Sequence, residues 1–124
     1  LDLDATFGLV LHAEGWHPGV IGIVASRIVE ETARPAVLVA VEDGVGKGSG
    51  RSIARFDLHA ALTTCDAPPL FQRFGGHRAA AGVTIAADRL PEFARRFDAV
   101  ARERLTRDDL VPELRVDLEL PIEE

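Results

Sequence analysis

Pro35-Ala36-Val37-Leu38-Val39-Ala40-Val41 is the stretch of this sequence that decides the fold. The run is almost continuously apolar, which is typical of a strand that is covered on both faces. Glu42-Asp43-Gly44 follows it as a turn, and the glycine-rich stretch that comes next, ending at Ile53, is expected to form an irregular strand. The sequence therefore predicts a buried strand joined by a turn to a glycine-rich one.

The rest of the chain alternates between strand and helix patterns on either side of this pair. Apolar residues at helical spacing predict helices, Pro18 suits a first helical position, and Asp57 suits an N-cap. The predicted elements are strands at 7–12, 79–85 and 114–120, helices at 18–32, 58–65 and 88–106, and a helical turn at 70–74. This order predicts an α/β fold, with a mixed β-sheet of about five strands flanked by helices.

Length and composition predict one globular domain. The chain has 124 residues, 47% of them hydrophobic, and no apolar run long enough to span a bilayer. It lacks methionine altogether, so we expect it to be cut from a longer protein. We expect residues 1–110 to form the domain and residues 111–124 to form a linker or the first strand of a following domain. The single Cys65 fits a reducing, cytoplasmic setting.

Charge is distributed unevenly along the chain. The formal net charge is −6, which argues against a protein that coats nucleic acid along its whole surface. Residues 47–78, however, carry 5 basic and 2 acidic side chains, whereas the segments on both sides of them are net acidic. A local positive patch on an acidic body favours a focused anion site over a broad DNA-wrapping surface.

Two glycine-rich stretches lie in this basic segment, and together they predict a phosphate site. Glycine allows a backbone to approach a ligand closely, and successive exposed N–H groups form a concave nest for an anion. Cationic and hydroxyl side chains beside the glycines would add charge and hydrogen bonds. The order does not match a Walker loop. The candidate phosphate-binding residues are Lys47, Ser49, Gly50, Arg51, Ser52, Gly75, Gly76, His77 and Arg78.

Several residues retain a simpler structural interpretation beside the functional one. His17 lines an interdomain cleft in one interpretation and caps or packs against the helix that follows it in the other. Phe71 and Phe74 are more consistent with core packing than with base stacking. Arg51 alone would suit an ordinary surface strand, but beside Ser49 a phosphate contact is favoured.

Three motifs together resemble the DHH-associated domain of RecJ-type single-strand exonucleases. They are residues 17–27 (HPGVIGIVASR), residues 48–53 (GSGRSI), and FGGH at 74–77 followed by AAG at 80–82. They occur in order, and the resemblance covers roughly residues 7–106. Related domains are found in oligoribonuclease-type phosphoesterases, cyclic-dinucleotide phosphodiesterases and alanyl-tRNA synthetases.

The resemblance implies a division of labour between this chain and an upstream DHH catalytic domain. In the family, that domain holds two divalent metals, manganese or magnesium, whereas this chain has no Asp-His-His motif and is expected to hold no metal or other cofactor. Ser49 and Arg51 would bind the terminal phosphate. Gly75, Gly76 and His77 would face the catalytic centre, where His77 would assist the reaction.

The function that the resemblance implies is that of an accessory domain of a RecJ-like 5′-to-3′ single-stranded-DNA exonuclease in DNA repair and recombination. Its partners would be single-stranded DNA and the catalytic domain of the same protein, with no membrane, and the chain alone would not hydrolyse DNA. One alternative is an accessory domain of an oligoribonuclease or cyclic-dinucleotide phosphodiesterase. A second is a module for interdomain or protein contact, for which the small residues of the helix at 18–32 provide a close-packing face.

Overall fold

The computed structural model describes residues 5–111, which form a five-stranded sheet with helices on both faces. The predicted strand at 114–120 lies outside the described residues. The elements in chain order are β1 (Leu9–Glu14), α1 (Pro18–Thr32), β2 (Ala36–Glu42), β3 (Val45–Arg51), α2 (Leu58–Cys65), β4 (Arg73–Gly76), β5 (Ala80–Ala86) and α3 (Leu90–Arg104), with short 3-10 helices at Ala87–Arg89 and Arg107–Leu110.

The sheet is mixed, as the sequence predicts. Its strand order is β1-β2-β3-β5-β4. β1 pairs with β2 in parallel, whereas the pairs β2–β3, β3–β5 and β5–β4 are antiparallel. The parallel strands β1 and β2 are connected by the helix α1, because parallel neighbours need a crossover connection. The antiparallel strands are connected by tight turns and by a segment that contains α2.

β2 is covered on both faces, which confirms the prediction from its apolar sequence. Val37 and Val39 belong to the larger core cluster, which includes residues of α2 and α3. Leu38 faces the other way and packs in a smaller cluster with Ile21 and Ala25 of α1. Removing all of these side chains from water is the main stabilising contribution, because apolar burial stabilises in rough proportion to its area.

β3 is a regular strand, so the predicted irregular strand and anion nest at its glycines are wrong. It pairs with β2 along one side and β5 along the other, and this uses its backbone groups in the sheet. A Cβ at Gly46 would lie 2.6 Å from Cγ1 of Val39, and one at Gly48 would lie 2.8 Å from Cγ2 of Val83. These glycines therefore let the core side chains of neighbouring strands pack directly beneath the backbone of β3.

The predicted helical turn at 70–74 is also wrong, because residues from Arg73 onward form the edge strand β4. The carboxylate of Asp66 accepts hydrogen bonds from the N–H groups of Leu70 and Phe71, both at 2.9 Å. These two bonds lower the pKa of Asp66, and they fix the chain in an extended loop that leads into the strand. Leu70 is buried in the core as this loop begins.

The helices follow the predicted boundaries closely, and α1 buries one face against the sheet. Ile21, Ala25 and Val29 are buried, whereas Val20 and Val24 are 48% and 39% exposed. The small Ala25 brings α1 close to the sheet.

In α3 an apolar stripe of Phe93, Phe97, Val100 and Ala101 is buried, as is Leu105 just beyond the helix. Cys65 at the end of α2 is buried too, and burial raises the pKa of its thiol to about 12.

We predict that Gly48→Ala destabilises the fold, because the added methyl group would also lie 3.0 Å from Val39 and 3.2 Å from Val37 side chains. Overpacking of this kind costs about 1–3 kcal/mol. The matched control is Gly75→Ala, where a Cβ would meet nothing within 4 Å and the change should stay within about 0.5 kcal/mol. Urea unfolding of both variants measures the difference, and equal midpoints would show that β3 has room for side chains.

Candidate nucleic-acid interface

The alternation of β3 places its polar side chains on one face of the sheet, here called the open face. Lys47, Ser49 and Arg51 stand opposite Ala40, Leu38 and Ala36 in the register with β2. Leu38 and its neighbours pack against α1, so the three polar residues share the α1 side of the sheet. α1 packs over β2 and β3. Beyond α1, the sheet continues with the antiparallel strands β5 and β4.

A row of small residues crosses this half of the sheet. Ser49 pairs with Gly82 of β5, and Gly82 pairs with Gly75 of β4. Gly82 and Gly75 are exposed even though Gly82 lies on an interior strand. A Cβ at Gly75 would meet no atom within 4 Å, and one at Gly82 would meet a single backbone oxygen at 3.5 Å. Neither glycine is therefore required by packing, and the row presents bare backbone that a ligand can approach closely.

Arg51 lies at the edge of the open face beside α1. Its guanidinium Nη1 donates to Ser49 Oγ at 3.0 Å and to the Gly50 carbonyl at 2.8 Å. A Cβ at Gly22 of α1 would lie 2.7 Å from Nη2 of Arg51, so the glycine makes the space in which the guanidinium rests. Within residues 5–111, no carboxylate forms an ion pair with Arg51. A planar guanidinium with unused donors suits the two oxygens of a phosphate.

A pair of cations flanks Thr84 in the next cross-strand row. Lys47 of β3 and Arg73 of β4 both stand opposite Thr84 of β5, and both are exposed. They line a shallow depression of about 450 Å³, together with Gly48, Phe74, Gly75, Gly82, Val83 and Thr84. Arg73 is a candidate site residue that the sequence reasoning missed. The run from Arg73 to Gly75 is too short for its alternation to indicate a strand, so the sequence carried no signal for this residue.

The ion pairs among the described residues lie away from the open face. On α3, Glu92 pairs with Arg95 and Arg96, and Asp98 pairs with Arg102. A fourth pair joins Arg55 to Asp109. Lys47, Arg51 and Arg73 thus have no ion-pair partner among the carboxylates of residues 5–111. This arrangement favours a focused anion site.

The second glycine motif forms the turn between β4 and β5. Gly76 has a φ of +142°, and a Cβ there would lie 2.5 Å from Cα of Ala81, so this position requires glycine. The backbone N–H of His77 donates to the Ala80 carbonyl at 2.7 Å, and Ala80 stands opposite Arg51. The turn therefore brings the exposed His77 to the end of the sheet at which Arg51 lies.

Three other predicted site residues have structural partners. The Ser52 hydroxyl donates to the Phe56 carbonyl at 2.6 Å, and Nη2 of Arg78 donates to the Ala54 carbonyl at 2.8 Å. His17 is the N-cap of α1, where its Nδ1 accepts from the Gly19 N–H at 2.9 Å. These contacts fix the loop after β3 and the start of α1. The phosphate contacts of Ser52 and Arg78 and the cleft role of His17 stay predictions.

The two aromatic residues near β4 serve the core. Phe71 and Phe74 are partly buried against the larger core cluster, with their ring centroids 5.3 Å apart. Phe74 stands opposite the buried Val83, so it lies on the sheet face opposite Arg73 and Gly75. This confirms the packing interpretation and places no aromatic ring from this pair on the open face.

Metal-ligating residues are not clustered in residues 5–111, where no group of three or more His, Cys, Asp or Glu side chains is placed to hold an ion. Among the helices of the same residues, none has the length and apolarity needed to cross a membrane.

Comparison with known proteins identifies the family. The DHHA1 domain model matches residues 5–103. The single-stranded-DNA-specific exonuclease RecJ of Bacillus subtilis is 40% identical over 124 residues, which is 98% of this chain and 15% of that protein. RecJ of Dickeya dadantii is 45% identical over 106 residues, covering 83% of this chain and 18% of the relative. The chain thus spans less than a fifth of either relative.

Solved structures give the same result. RecJ from Thermus thermophilus in complex with Mn²⁺ aligns with a TM-score of 0.71 at 41% identity, covering 80% of this chain and 14% of that one. The C-Ala domain of Aquifex aeolicus alanyl-tRNA synthetase aligns with a TM-score of 0.62 at 12% identity, over 74% of this chain and 89% of that domain, and shares the fold alone. The chain belongs to the DHHA1 domain family, as its three sequence motifs predict.

Proposed function

We propose that this domain is the substrate-binding accessory domain of a RecJ-like 5′-to-3′ single-stranded-DNA exonuclease that acts in DNA repair and recombination. The open face binds the phosphates of the DNA strand near its 5′ end. The domain closes over the DHH catalytic domain of the same protein, which performs the hydrolysis.

The geometry of Arg51 and Ser49 carries this proposal. The guanidinium is already oriented by its bonds to Ser49 Oγ and the Gly50 carbonyl, and no carboxylate of residues 5–111 neutralises it. A terminal phosphate bears more negative charge than an internal one and has a free set of oxygens. It therefore gains most from a pre-oriented, bidentate donor.

The shape of the surface supports a DNA strand over a small cyclic nucleotide. Gly75, Gly82 and Thr84 line an open depression that continues from the middle of the sheet to its edge strand. A cyclic dinucleotide would gain most from an enclosed pocket that buries most of its surface. An open track bordered by cations is instead typical of surfaces that follow a single strand.

The metals of the reaction belong to the catalytic domain in this proposal. The Thermus thermophilus relative was solved with Mn²⁺ and, in a second structure, with Mg²⁺. Residues 5–111 of this chain provide no matching group of ligands, so this domain contributes binding and positioning. When bound in the catalytic domain, a metal pair would activate water and stabilise the leaving oxygen.

His77 has a different part in the proposal from that of Arg51. It is exposed and follows Gly76, a position that only glycine permits. The backbone just after His77 is held to the start of α2 by a hydrogen bond from the Leu58 N–H to the Arg78 carbonyl at 2.9 Å. An exposed imidazole on a backbone held in this way suits a donor that contacts the scissile phosphate in the transition state.

We predict that Arg51→Ala abolishes a preference of the isolated chain for 5′-phosphorylated over 5′-hydroxyl single-stranded oligonucleotides. Loss of a charge-assisted bidentate contact typically costs about 1.5–3 kcal/mol, or roughly tenfold or more in affinity. Fluorescence anisotropy at low salt measures both affinities. Arg95→Ala on the far face, which removes the same charge from an exposed ion pair, is the control and should retain the preference. Equal losses on both oligonucleotides in Arg51→Ala would contradict a terminal-phosphate role.

Gly22→Ala should mimic Arg51→Ala without removing the charge. The new methyl group would lie 2.7 Å from Nη2 of Arg51 and 3.1 Å from Ser49 Oγ, so the guanidinium must move away from its place. Because a flexible side-chain end can move at little cost, we expect the urea midpoint to change little while the 5′-phosphate preference falls by about threefold to tenfold. A variant that keeps the full preference would show that the observed position of Arg51 is not the binding one.

In the longer protein that contains this domain, His77→Ala should lower kcat on single-stranded DNA by about tenfold to a hundredfold, with little change in KM. The reason is that its contact strengthens only as charge shifts at the scissile phosphate. Steady-state kinetics at saturating DNA measures this, with circular dichroism as the folding check. An unchanged kcat would assign the Gly75-Gly76-His77 motif to the turn alone.

A further inference from the structure

The Lys47–Thr84–Arg73 row is separate from the place where Arg51 lies. Lys47 and Arg51 are four residues apart on β3, so their Cα atoms lie roughly 13 Å apart at the rise of an extended strand. Arg51 donates a hydrogen bond to Ser49 and lies beside Gly22 of α1. The depression beside Lys47 is lined by residues of β3, β4 and β5, and Arg51 is not one of them. The open face therefore presents cations at two places.

The row has the composition of an anion site. Lys47 and Arg73 stand on either side of Thr84, with one strand between them, so their Cα atoms are roughly 10 Å apart. No carboxylate of the described residues pairs with either cation. An anion placed between them would replace their mutual repulsion with two attractions.

The floor beside the row favours a ligand that lies flat along the sheet. Gly75 and Gly82 expose backbone next to Arg73 and Thr84, and no packing contact requires the absence of a side chain at Gly75. The half-buried Thr84 brings a hydroxyl between two cations, where it is able to donate to a phosphate oxygen. The ammonium group of Lys47 and the guanidinium group of Arg73 thus border one strip of exposed backbone.

We propose that Lys47, Thr84 and Arg73 form a second phosphate site, which holds an internal phosphate of the strand whose 5′ end lies at Ser49 and Arg51. This rests on the proposed function and extends it. The separation along β3 corresponds to about two to four nucleotides, taking the phosphate spacing of roughly 3.4 Å in a stacked strand as the lower limit. The row therefore selects for strands of several nucleotides over dinucleotides, and it does so without reading the bases.

The test compares 5′-phosphorylated oligothymidylates of two and six nucleotides on the 124-residue chain, by anisotropy at low salt. In the parent chain the six-nucleotide strand should bind about threefold to tenfold more tightly. Arg73→Gln and, independently, Lys47→Gln should remove most of that gain and leave the 5′-phosphate preference in place. Each should also reduce the magnitude of the log–log salt slope by about 0.7 for the longer strand. Arg95→Gln on α3 is the charge-matched control.

The outcomes separate this proposal from the one on which it rests. Arg73→Gln and Lys47→Gln could both still bind the six-nucleotide strand more tightly than the two-nucleotide strand by the full factor. If Arg51→Ala nevertheless loses the 5′-phosphate preference, the second site is wrong and the proposed function stands. If the parent chain shows neither 5′-phosphate preference nor any binding of the longer strand at low salt, both are wrong. If Arg95→Gln loses as much of the gain as Arg73→Gln, net charge explains the effect and the site is again wrong.

Discussion

The two-residue alternation of β3 is the constraint on which the rest of the structure depends. One face of the strand is glycine throughout, and the side chains of Val37, Val39 and Val83 fill the space beneath it. The other face carries Lys47, Ser49 and Arg51. Because successive side chains of a strand point to opposite faces, a slip of one residue would bury three polar groups in the core. The packing of the core and the presentation of the cations are thus fixed by the same register.

The fold was predictable where one local pattern dominated. The apolar run of β2 has no competing interpretation, and Pro18 and the apolar stripe of α3 define their helices on their own. The stretch at 70–74 was mispredicted because its apolar residues are too few to establish a helical or strand period. Its conformation depends instead on Asp66, whose carboxylate bonds to Leu70 and Phe71, and on pairing of β4 with a strand that follows it in sequence.

The candidate site was predictable in its residues more than in its geometry. The motifs identified Ser49, Arg51 and the Gly75-Gly76-His77 turn, but glycine has both a ligand-binding and a packing interpretation, and only the sheet register separates them. Gly46 and Gly48 prove to serve packing, whereas Gly75 and Gly82 leave open surface. Arg73 could not be placed from the sequence, since its neighbours in space, Lys47 and Thr84, depend on cross-strand register.

The central claim is that a single strand with a 5′-phosphate lies on the open face. The most direct measurement is a map of backbone amide chemical shifts as the 124-residue chain is titrated with a 5′-phosphorylated hexathymidylate. The account predicts that the largest changes fall on β3, β4 and β5, at Lys47, Ser49, Arg51, Gly75, Gly82 and Thr84, and that α2 and α3 change little. Largest changes on α2 and α3, or on the side of α1 where Ile23 is exposed, would contradict it.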